Sequence, residues 1–328
     1  MSAPVGTASL TTAGTTTVPG ATIVAGFDPA AAPQGSYVDC QAGNDGNDGT
    51  ASRPWRSLQR VQQGGLTGSA LFLRRGCSWS GGLRVSTGGA LTIAGYDTGT
   101  QPVITAEGLD RNRGVLEINS SSITIRDLHL AHAAGMGAII SADHATLDTV
   151  EIEDVGIGVR ITAPFATVTN AAIHDLHMFN NTPGGDDDSG AVGFDIEADD
   201  VTVSQTSCTH CRAPSYDYGF DGGFADIFNH GNRLKLINNT ANDVQGFLEI
   251  GGVVANISAY DVVVRGNQVT DTHGAIWVHG NGTFAIATGN ITVDGNTFAS
   301  TDPQVLLGGN LSSLVLGSNV FTTVGRVS

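Results

Sequence analysis

The chain has 328 residues, of which 40% are hydrophobic, and its formal net charge of −16 comes from 31 acidic and only 15 basic side chains. This charge excludes the basic surface that a nucleic-acid-binding protein needs, and no apolar run approaches the ~18 residues of a membrane span. The same charge opposes binding of an anionic polysaccharide unless a cation bridges the two.

The first part of the chain divides into two regions of different composition. Residues 1–36 are rich in threonine, alanine, glycine and proline, which predicts a flexible segment or an extended arm. One folded domain is expected over residues 37–328. It begins with turn-forming residues (44–50) and a short capping helix in SRPWRSLQRV (52–61), entered through Pro54. The next predicted strands are ALFLRRG (70–76), GGLRVS (81–86) and ALTIAGY (90–96).

From about residue 115 the sequence repeats two strand types in which hydrophobic residues alternate with polar ones. The first type comprises SITIRD (122–127), ATLDTV (145–150), ATVTNA (166–171), VTVSQT (201–206), LKLINN (234–239), VVVRGN (262–267), ITVDGN (291–296) and LVLGSN (314–319). The second type comprises GVRI (158–161), GFDIE (193–197), GFADIF (223–228), GFLEIG (246–251), GAIWVHG (274–280) and QVLLGG (304–309). Strands that recur at a step of roughly 20 to 35 residues predict a solenoid.

An asparagine follows the first strand type at the same offset in four repeats: Asn239, Asn267, Asn296 and Asn319. If the repeats stack, these amides form a hydrogen-bonded ladder along the axis and satisfy groups that would otherwise be buried without partners. The alternative is that asparagine merely tolerates turn dihedral angles. The common register favours the ladder.

The four cysteines predict an oxidising compartment, and hence a secreted or cell-surface protein. The expected disulfides are Cys40–Cys77 and Cys208–Cys211. For the CTHC motif (208–211), free thiols or zinc ligands remain alternatives, although a lone CxxC is a weak zinc signal.

The stretch YVDCQAGNDGNDGTASRPWRSLQRV (37–61), followed by GSALFLRRGCSWSGGLRVSTGGALTIAGY (68–96), resembles the entry region of secreted right-handed parallel β-helix proteins of carbohydrate metabolism, the pectate-lyase-like superfamily. The later repeats resemble their coils, and the resemblance covers residues 37 to about 325. It implies an all-β, single-stranded right-handed parallel β-helix with a short N-terminal capping helix and long loops beside one face. That family includes glycoside hydrolases, polysaccharide lyases, epimerases and phage tailspikes.

The second strand type places acidic residues between inward-facing hydrophobic residues. Asp195, Asp226 and Glu249 occupy the same outward position in successive repeats, with Arg160 before them and Trp277 after them. A second outward column contains Glu197, Phe228, Gly251 and His279. Outward positions are commonly just solvated, but like charges on neighbouring strands repel and raise a carboxyl pKa. We therefore interpret Asp226, Glu249 and Asp195 as catalytic candidates.

Two long insertions, residues 174–191 and 208–223, lead into the acidic strands and are expected to lie beside them. The predicted substrate-binding residues are Trp277, His279, His230, Tyr218, Asp221, Arg160, Arg212, Tyr216, Glu197 and His177. No cofactor is expected to be required. Asp186, Asp187 and Asp188 are the candidate calcium ligands, with a solvated acidic loop as the alternative.

Three functions remain open at this stage. The favoured one is a glycoside hydrolase acting on a glycan, with Asp226 as nucleophile and Glu249 as acid/base on adjacent repeats ~4.8 Å apart, near the ~5–5.5 Å typical of retaining enzymes. The alternative is a calcium-assisted lyase for a uronic-acid polymer, whose base would come from Arg160, Arg212 or Lys235, the one lysine. The third is a non-catalytic, glycan-binding or tailspike-like solenoid.

Overall fold

The structure, a computed structural model, describes residues 28–252, 258–279, 287–300 and 314–323. The predicted strand 304–309 and most of the predicted segment 1–36 lie outside these residues. No helix in the described ranges is long and apolar enough to cross a membrane. Within these ranges the helices are a 3₁₀ turn, Pro29–Ala31, and one α-helix, α1 (Leu58–Gln62).

Strands dominate the described part of the chain. In chain order they are β1 (Ser36–Val38), β2 (Ala70–Arg74), β3 (Ser78–Ser80), β4 (Leu83–Val85), β5 (Leu91–Tyr96), β6 (Val103–Thr105), β7 (Gly114–Ile118), β8 (Ile123–Arg126), β9 (His129–Ile140), β10 (Thr146–Asp148), β11 (Glu151–Ile161), β12 (Thr167–Thr169), β13 (Ala172–His174), β14 (Met178–Asn180), β15 (Ser189–Gly190), β16 (Val192–Ile196), β17 (Thr202–Ser204), β18 (Ser207–Cys211), β19 (Ala213–Ser215), β20 (Gly219–Asp221), β21 (Gly223–Phe228), β22 (Lys235–Ile237), β23 (Thr240–Gly251), β24 (Ser258–Tyr260), β25 (Val263–Arg265), β26 (Gln268–Val278), β27 (Ala287–Gly289), β28 (Ile291–Asp294), β29 (Thr297–Ser300), β30 (Leu314–Leu316) and β31 (Val320–Thr323).

The strands form two long parallel sheets that wind together as a parallel β-helix, which confirms the predicted fold class. Face 1 is the eleven-stranded sheet, in the order β1-β2-β5-β8-β10-β12-β17-β22-β25-β28-β30. It contains all eight strands of the first predicted type. A fourteen-stranded sheet provides the rest of each coil, a coil being one complete turn of the solenoid.

The fourteen-stranded sheet forms two of the three faces of the β-helix. The sequence analysis did not predict the middle face. The first residues of β11 pair with β13, and its last residues pair with β16. We call the part containing β6, β13, β18 and β29 face 2, and the part containing β7, β16 and β21 face 3. The long strands β9, β11, β23 and β26 run through both. They bend at residues with positive φ of 49° to 56°, which are His132, Asp154, Asp243 and Asp271.

The interior contains stacked hydrophobic side chains and the predicted asparagine ladder. Phe194, Phe224 and Phe247 stack with ring centroids 5.4 and 4.7 Å apart. The Oδ1 of Asn267 accepts from Asn239 Nδ2 at 3.0 Å, and the Nδ2 of Asn267 donates to the next rung. The ladder continues to Asn319, and Asn239, Asn267 and Asn296 are buried. The ladder interpretation is therefore confirmed.

Replacing Asn267 by leucine is expected to lower the free energy of unfolding by about 3 kcal/mol, because several buried donors and acceptors lose their partners at once. These include Asn239 Nδ2, Asn296 Oδ1 and the Leu236 carbonyl oxygen. Urea titration followed by circular dichroism measures the change. Asn242→Ala is the control, since Asn242 is exposed, and equal effects of the two substitutions would contradict the ladder's structural role.

The N-terminal cap agrees with prediction except at the helix entry. Helix α1 begins after Ser57, whose Oγ accepts from the Arg60 backbone N–H, rather than at Pro54. Asparagine, serine and threonine side chains are better suited than proline to satisfy a free helical N–H group. Both predicted disulfides, Cys40–Cys77 and Cys208–Cys211, are present, so zinc and free thiols at the CTHC motif are excluded.

Candidate active site

Face 3 aligns the acidic residues as the alternation predicts. Parallel pairing places Arg160 beside Asp195, Asp195 beside Asp226, Asp226 beside Glu249, and Glu249 beside Trp277. The residues on either side of each carboxylate point inward and are buried. We call these five residues the acidic column. The three carboxylates thus belong to consecutive coils, whose parallel strands lie ~4.8 Å apart.

The electrostatic environment differs along the acidic column. Burial raises the pKa of Asp195 to about 6, although Arg160 opposes the shift. The pKa of Asp226 is raised well above its usual range, first by burial and then by the charges of neighbouring carboxylates. Those neighbours are Glu249, Asp221 and Asp195. Burial disfavours the ionised form of Asp226, and the neighbouring carboxylates repel the charge that it would gain by losing its proton.

An earlier carboxylate in the same outward position provides a contrast. Glu117 lies two coils before Arg160, with Ile139 between them. It pairs with both Arg84 and Arg113, and although burial opposes the change, these arginines lower its pKa. A purely structural carboxylate on this face is thus neutralised by basic partners. The charges acting on Asp226 are all negative.

Each end of the acidic column has a characteristic partner. Arg160 pairs with Glu197 and lies 3.5 Å from Asp195, so it compensates negative charge at one end. At the other end His279 Nε2 lies 2.6 Å from Glu249 Oε1. The His279 ring also stacks on Trp277, with centroids 5.8 Å apart. Glu249 is thereby oriented while its side chain remains 44% exposed.

Two hairpins stand at the corner where face 2 meets face 3. The first hairpin, β14–β15, precedes the strand of Asp195, and the second, β19–β20, precedes the strand of Asp226. They are bound to each other, because Asn181 Nδ2 donates to the Pro214 carbonyl and Ser215 Oγ donates to Asp188 Oδ2. The predicted location of the two long loops beside the acidic strands is therefore confirmed.

The second hairpin delivers a fourth carboxylate and exposed aromatic rings. Asp221 ends β20, and its pKa is raised to about 7, first by burial and then by Glu249 and Asp188, against a lowering hydrogen bond from Gly222. Asp221 also raises the pKa of Asp226. Exposed aromatic side chains on this hairpin and on face 3 are Tyr216, Tyr218, Phe220, Phe228 and Trp277.

Comparison with known proteins identifies the family. The family described as "Right handed beta helix region" matches residues 113–315, well over half of the chain. The chain belongs to this right-handed β-helix family. No curated protein sequence matches it.

Several solved structures share the fold at low sequence identity. A GH136 lacto-N-biosidase from Eubacterium ramulus has 12% identity and a TM-score of 0.50, covering 88% of this chain and 68% of that chain. A rhamnogalacturonan lyase has 13% identity and a TM-score of 0.53, covering 87% of both chains. The tailspike of E. coli bacteriophage HK620, in complex with a pentasaccharide, has 12% identity and a TM-score of 0.50, covering 79% of this chain and 53% of that chain.

Three predicted binding residues of this β-helix protein have other contacts. Arg212 lies over the Phe220 ring at 3.9 Å, and its side chain is only 9% exposed. His177 directs both ring nitrogens at backbone carbonyl oxygens, those of residues 133 and 178. His230 pairs with Asp199 beyond the end of β21. These contacts support the hairpins and the following turn, and the local sequence carries no signal for them.

The acidic loop of the first hairpin is organised by hydrogen-bond donors. Asp188 Oδ1 accepts from the Thr182 N–H, and its Oδ2 accepts from Ser215 Oγ and the Asp217 N–H. Asp186 accepts from the Tyr218 hydroxyl. Carboxylates of Asp187, Asp188 and Asp217 approach within 4.8 Å of one another. Calcium requires six to eight oxygen ligands, so a loop whose oxygens already face N–H and O–H donors fits it poorly.

Proposed function

We propose that this β-helix protein is a glycoside hydrolase whose reacting carboxylates are Asp226 and Glu249. The observation that supports the proposal is their position on adjacent coils of one face, where the pKa of Asp226 is raised and the side chain of Glu249 is 44% exposed. Glycoside hydrolysis needs one protonated and one ionised carboxyl group on either side of the scissile bond. We assign the first part to Asp226 and the second to Glu249.

The roles follow from the environments. Asp226, with its raised pKa, protonates the leaving oxygen, and the more exposed Glu249 attacks the sugar as the nucleophile. This assignment reverses the roles expected from the sequence, where burial could not be judged. Burial raises the pKa of Asp226, and the negative charges of Glu249, Asp221 and Asp195 add to the rise. A separation of ~4.8 Å between coils suits a retaining reaction, whereas Asp195 and Glu249, two coils or ~9.6 Å apart, suit an inverting one.

The surroundings support a glycan substrate. Trp277 is 48% exposed at the end of the acidic column, and Tyr216 and Tyr218 project from the second hairpin. Flat aromatic rings of this kind bind the C–H faces of sugars. The net charge of −16 favours a neutral glycan over a polyanion. Among the structural neighbours, the HK620 tailspike holds a pentasaccharide. The two disulfides support a secreted or cell-surface location.

The second candidate is a polysaccharide lyase, which the structural similarity to a rhamnogalacturonan lyase supports. β-Elimination needs a base that removes the proton α to a uronate carboxyl group. Lys235 lies on face 1, away from the acidic column. Arg160 is paired with Asp195 and Glu197, and Arg212 is stacked and nearly buried. This distribution of basic residues favours hydrolysis.

A panel of neutral and uronic-acid glycans tests the proposal directly. Each reaction is followed for new reducing ends and for ultraviolet absorbance of an unsaturated product. Reducing ends without that absorbance support hydrolysis. Both signals together would establish the lyase, and binding without either signal would establish the non-catalytic, tailspike-like alternative.

Removal of divalent cations with EDTA is expected to leave turnover unchanged within experimental error. The reason is that the acidic column needs only carboxyl groups, and the Asp188 loop is held by hydrogen bonds. Initial rates before and after exhaustive chelation measure the effect. Loss of activity that calcium alone restores would contradict this expectation and favour a calcium-assisted lyase.

A further inference from the structure

A second cluster of titratable side chains lies on face 2, away from the acidic column. His129 and Glu151 are neighbours in register on consecutive coils, and so are Glu153 and His174. The residue paired with Glu153 on the preceding coil is Ala131, and the residue paired with Glu151 on the following coil is Ala172. These small residues leave room for the long side chains to cross diagonally between coils.

The diagonal contacts bring nitrogen and oxygen atoms of three coils together. His129 Nε2 lies 3.0 Å from Glu153 Oε1, and His174 Nε2 lies 3.3 Å from Glu151 Oε1. His174 Nδ1 is 3.8 Å from Glu153 Oε2 and 2.8 Å from Asp175 Oδ2. One ligand atom from each of Glu153, His174 and Asp175 lies within 4.8 Å of the other two.

These separations suit a small tetrahedral metal site. Zn²⁺ binds histidine nitrogen and carboxylate oxygen at ~2.0–2.1 Å, so the ligand atoms of a tetrahedral site lie ~3.3 Å from one another. The two separations from His174 Nδ1, 2.8 and 3.8 Å, bracket that value. Glu153 and His174 project from paired strands of a parallel sheet, and Asp175 directly follows the second of these strands.

The cluster is also short of positive charge. In the described part of the chain, the ion-pair partners of Glu151, Glu153 and Asp175 are histidines, whereas arginines neutralise Glu117 on face 3. Anionic side chains surround the His174 ring, with Asp175 Oδ2 at 2.8 Å and Glu151 Oε1 at 3.3 Å.

A buried nitrogen at the edge of the cluster also favours a metal site. The Nε2 atom of His129 is shielded from water and makes no hydrogen bond of acceptable geometry within the described residues, although Glu153 Oε1 is 3.0 Å away. Buried polar atoms normally have partners. A metal ion bound to Glu153 would place a further ligand position beside this nitrogen.

We propose that Glu153, His174 and Asp175 form a binding site for one divalent transition-metal ion of the Zn²⁺ class, with His129 as an adjoining ligand. The imidazole nitrogens select against Ca²⁺ and Mg²⁺, which prefer oxygen ligands. The bound ion ties successive coils of face 2 together. The site is separate from the acidic column, so the proposal does not depend on the proposed hydrolase activity.

The test is calorimetric titration of metal-free protein with Zn²⁺, compared across matched His→Asn variants. We expect one ion per chain, at least ~10-fold weaker binding in His174→Asn, and unchanged binding in His144→Asn. His144 is an exposed histidine that pairs with Asp143 and stacks on Phe165. A visible spectrum of bound Co²⁺ typical of tetrahedral nitrogen and oxygen ligands provides a second readout.

A further variant keeps the test decisive if His174→Asn does not fold. Glu153→Gln is expected to weaken Zn²⁺ binding to the same extent, with circular dichroism as the check on folding. Asp187→Asn, in the acidic loop of the first hairpin, is expected to have no effect. Absence of stoichiometric binding by the wild-type protein, wild-type affinity in both His174→Asn and Glu153→Gln, or loss of binding in Asp187→Asn would overturn the proposal.

Discussion

Replacing Asp226 by asparagine, or Glu249 by glutamine, is expected to lower kcat on the glycan substrate by ~10²–10⁴-fold, the range in which general acid–base groups contribute. Each substitution keeps the shape of the side chain and removes its ability to ionise. The acidic column then lacks either its proton donor or its nucleophile. Steady-state kinetics on the substrate found in the glycan panel measure the change, and circular dichroism confirms that the variants are folded.

The control is Asp148→Asn on face 1, whose carboxylate accepts from Asn170 Nδ2. Its kcat is expected to equal that of the wild-type protein, because the side chain lies on a different sheet from the acidic column. Rates close to wild type in both Asp226→Asn and Glu249→Gln would rule out the proposed pair.

Changing the leaving group of the substrate distinguishes the general acid from the nucleophile. The nitrophenolate group of a nitrophenyl glycoside leaves without being protonated. Asp226→Asn is therefore expected to recover most of its lost rate on such a substrate. Glu249→Gln is expected to stay inactive, because attack on the sugar still fails. The opposite pattern would restore the assignment expected from the sequence, with Asp226 as nucleophile.

The contribution of Asp195 to the stability of the wild-type protein is expected to fall as pH rises from about 4 to about 7. The folded-state pKa of Asp195 is about 6, against an ordinary 3.8. Because this pKa is raised, the unfolded chain releases its proton first, and the stabilisation is complete below pH ~4 and lost as pH rises through 6. Asp221, with a pKa of about 7, extends the loss to higher pH.

The size of the effect follows from the shift. Two pKa units correspond to about 3 kcal/mol, so the stability of Asp195→Asn relative to wild type is expected to rise by about 3 kcal/mol between pH 4 and pH 8. Urea titrations of both proteins across this range measure it. If the free energies of unfolding of the two proteins changed equally with pH, the raised pKa of Asp195 would be contradicted.

A carboxylate on the same face provides a control of opposite sign. Arg113 and Arg84 lower the pKa of Glu117 against the opposing effect of burial. Its stabilisation is therefore present above the unfolded-state pKa and is lost as pH falls. Glu117→Gln is expected to lose most stability relative to wild type near neutral pH, where Asp195→Asn gains it.

Much of the architecture could be predicted because a parallel β-helix repeats in register. Once alternation of period two shows which residues point inward, stacking repeats in parallel determines which outward residues are neighbours. For this reason the pairing of Asp195 with Asp226 and of Asp226 with Glu249 is the one expected from the alignment. The asparagine ladder and both disulfides were predicted on similarly local evidence.

Face 2 could not be predicted, for two physical reasons. Its strands are short, and several continue into face 3 as one long strand, with the nearest following glycine two or three residues beyond the bend. The bends instead use aspartate and histidine in the left-handed conformation, such as Asp154 and His132, which local sequence does not distinguish from extended residues. The His129 and His174 cluster on that face consequently went unrecognised.

The amino-acid sequence by itself determined the solenoid, its register and the carboxylates that share a column, because these depend on periodicity along the chain. Only the tertiary structure decided which carboxyl groups have raised pKa values. That property depends on burial and on charges from other coils, including Asp221 on the second hairpin, whose position relative to Asp226 no sequence spacing specifies. The tertiary structure likewise decided that Arg212 and His177 support the hairpins, since the path of each loop sets what its side chains contact.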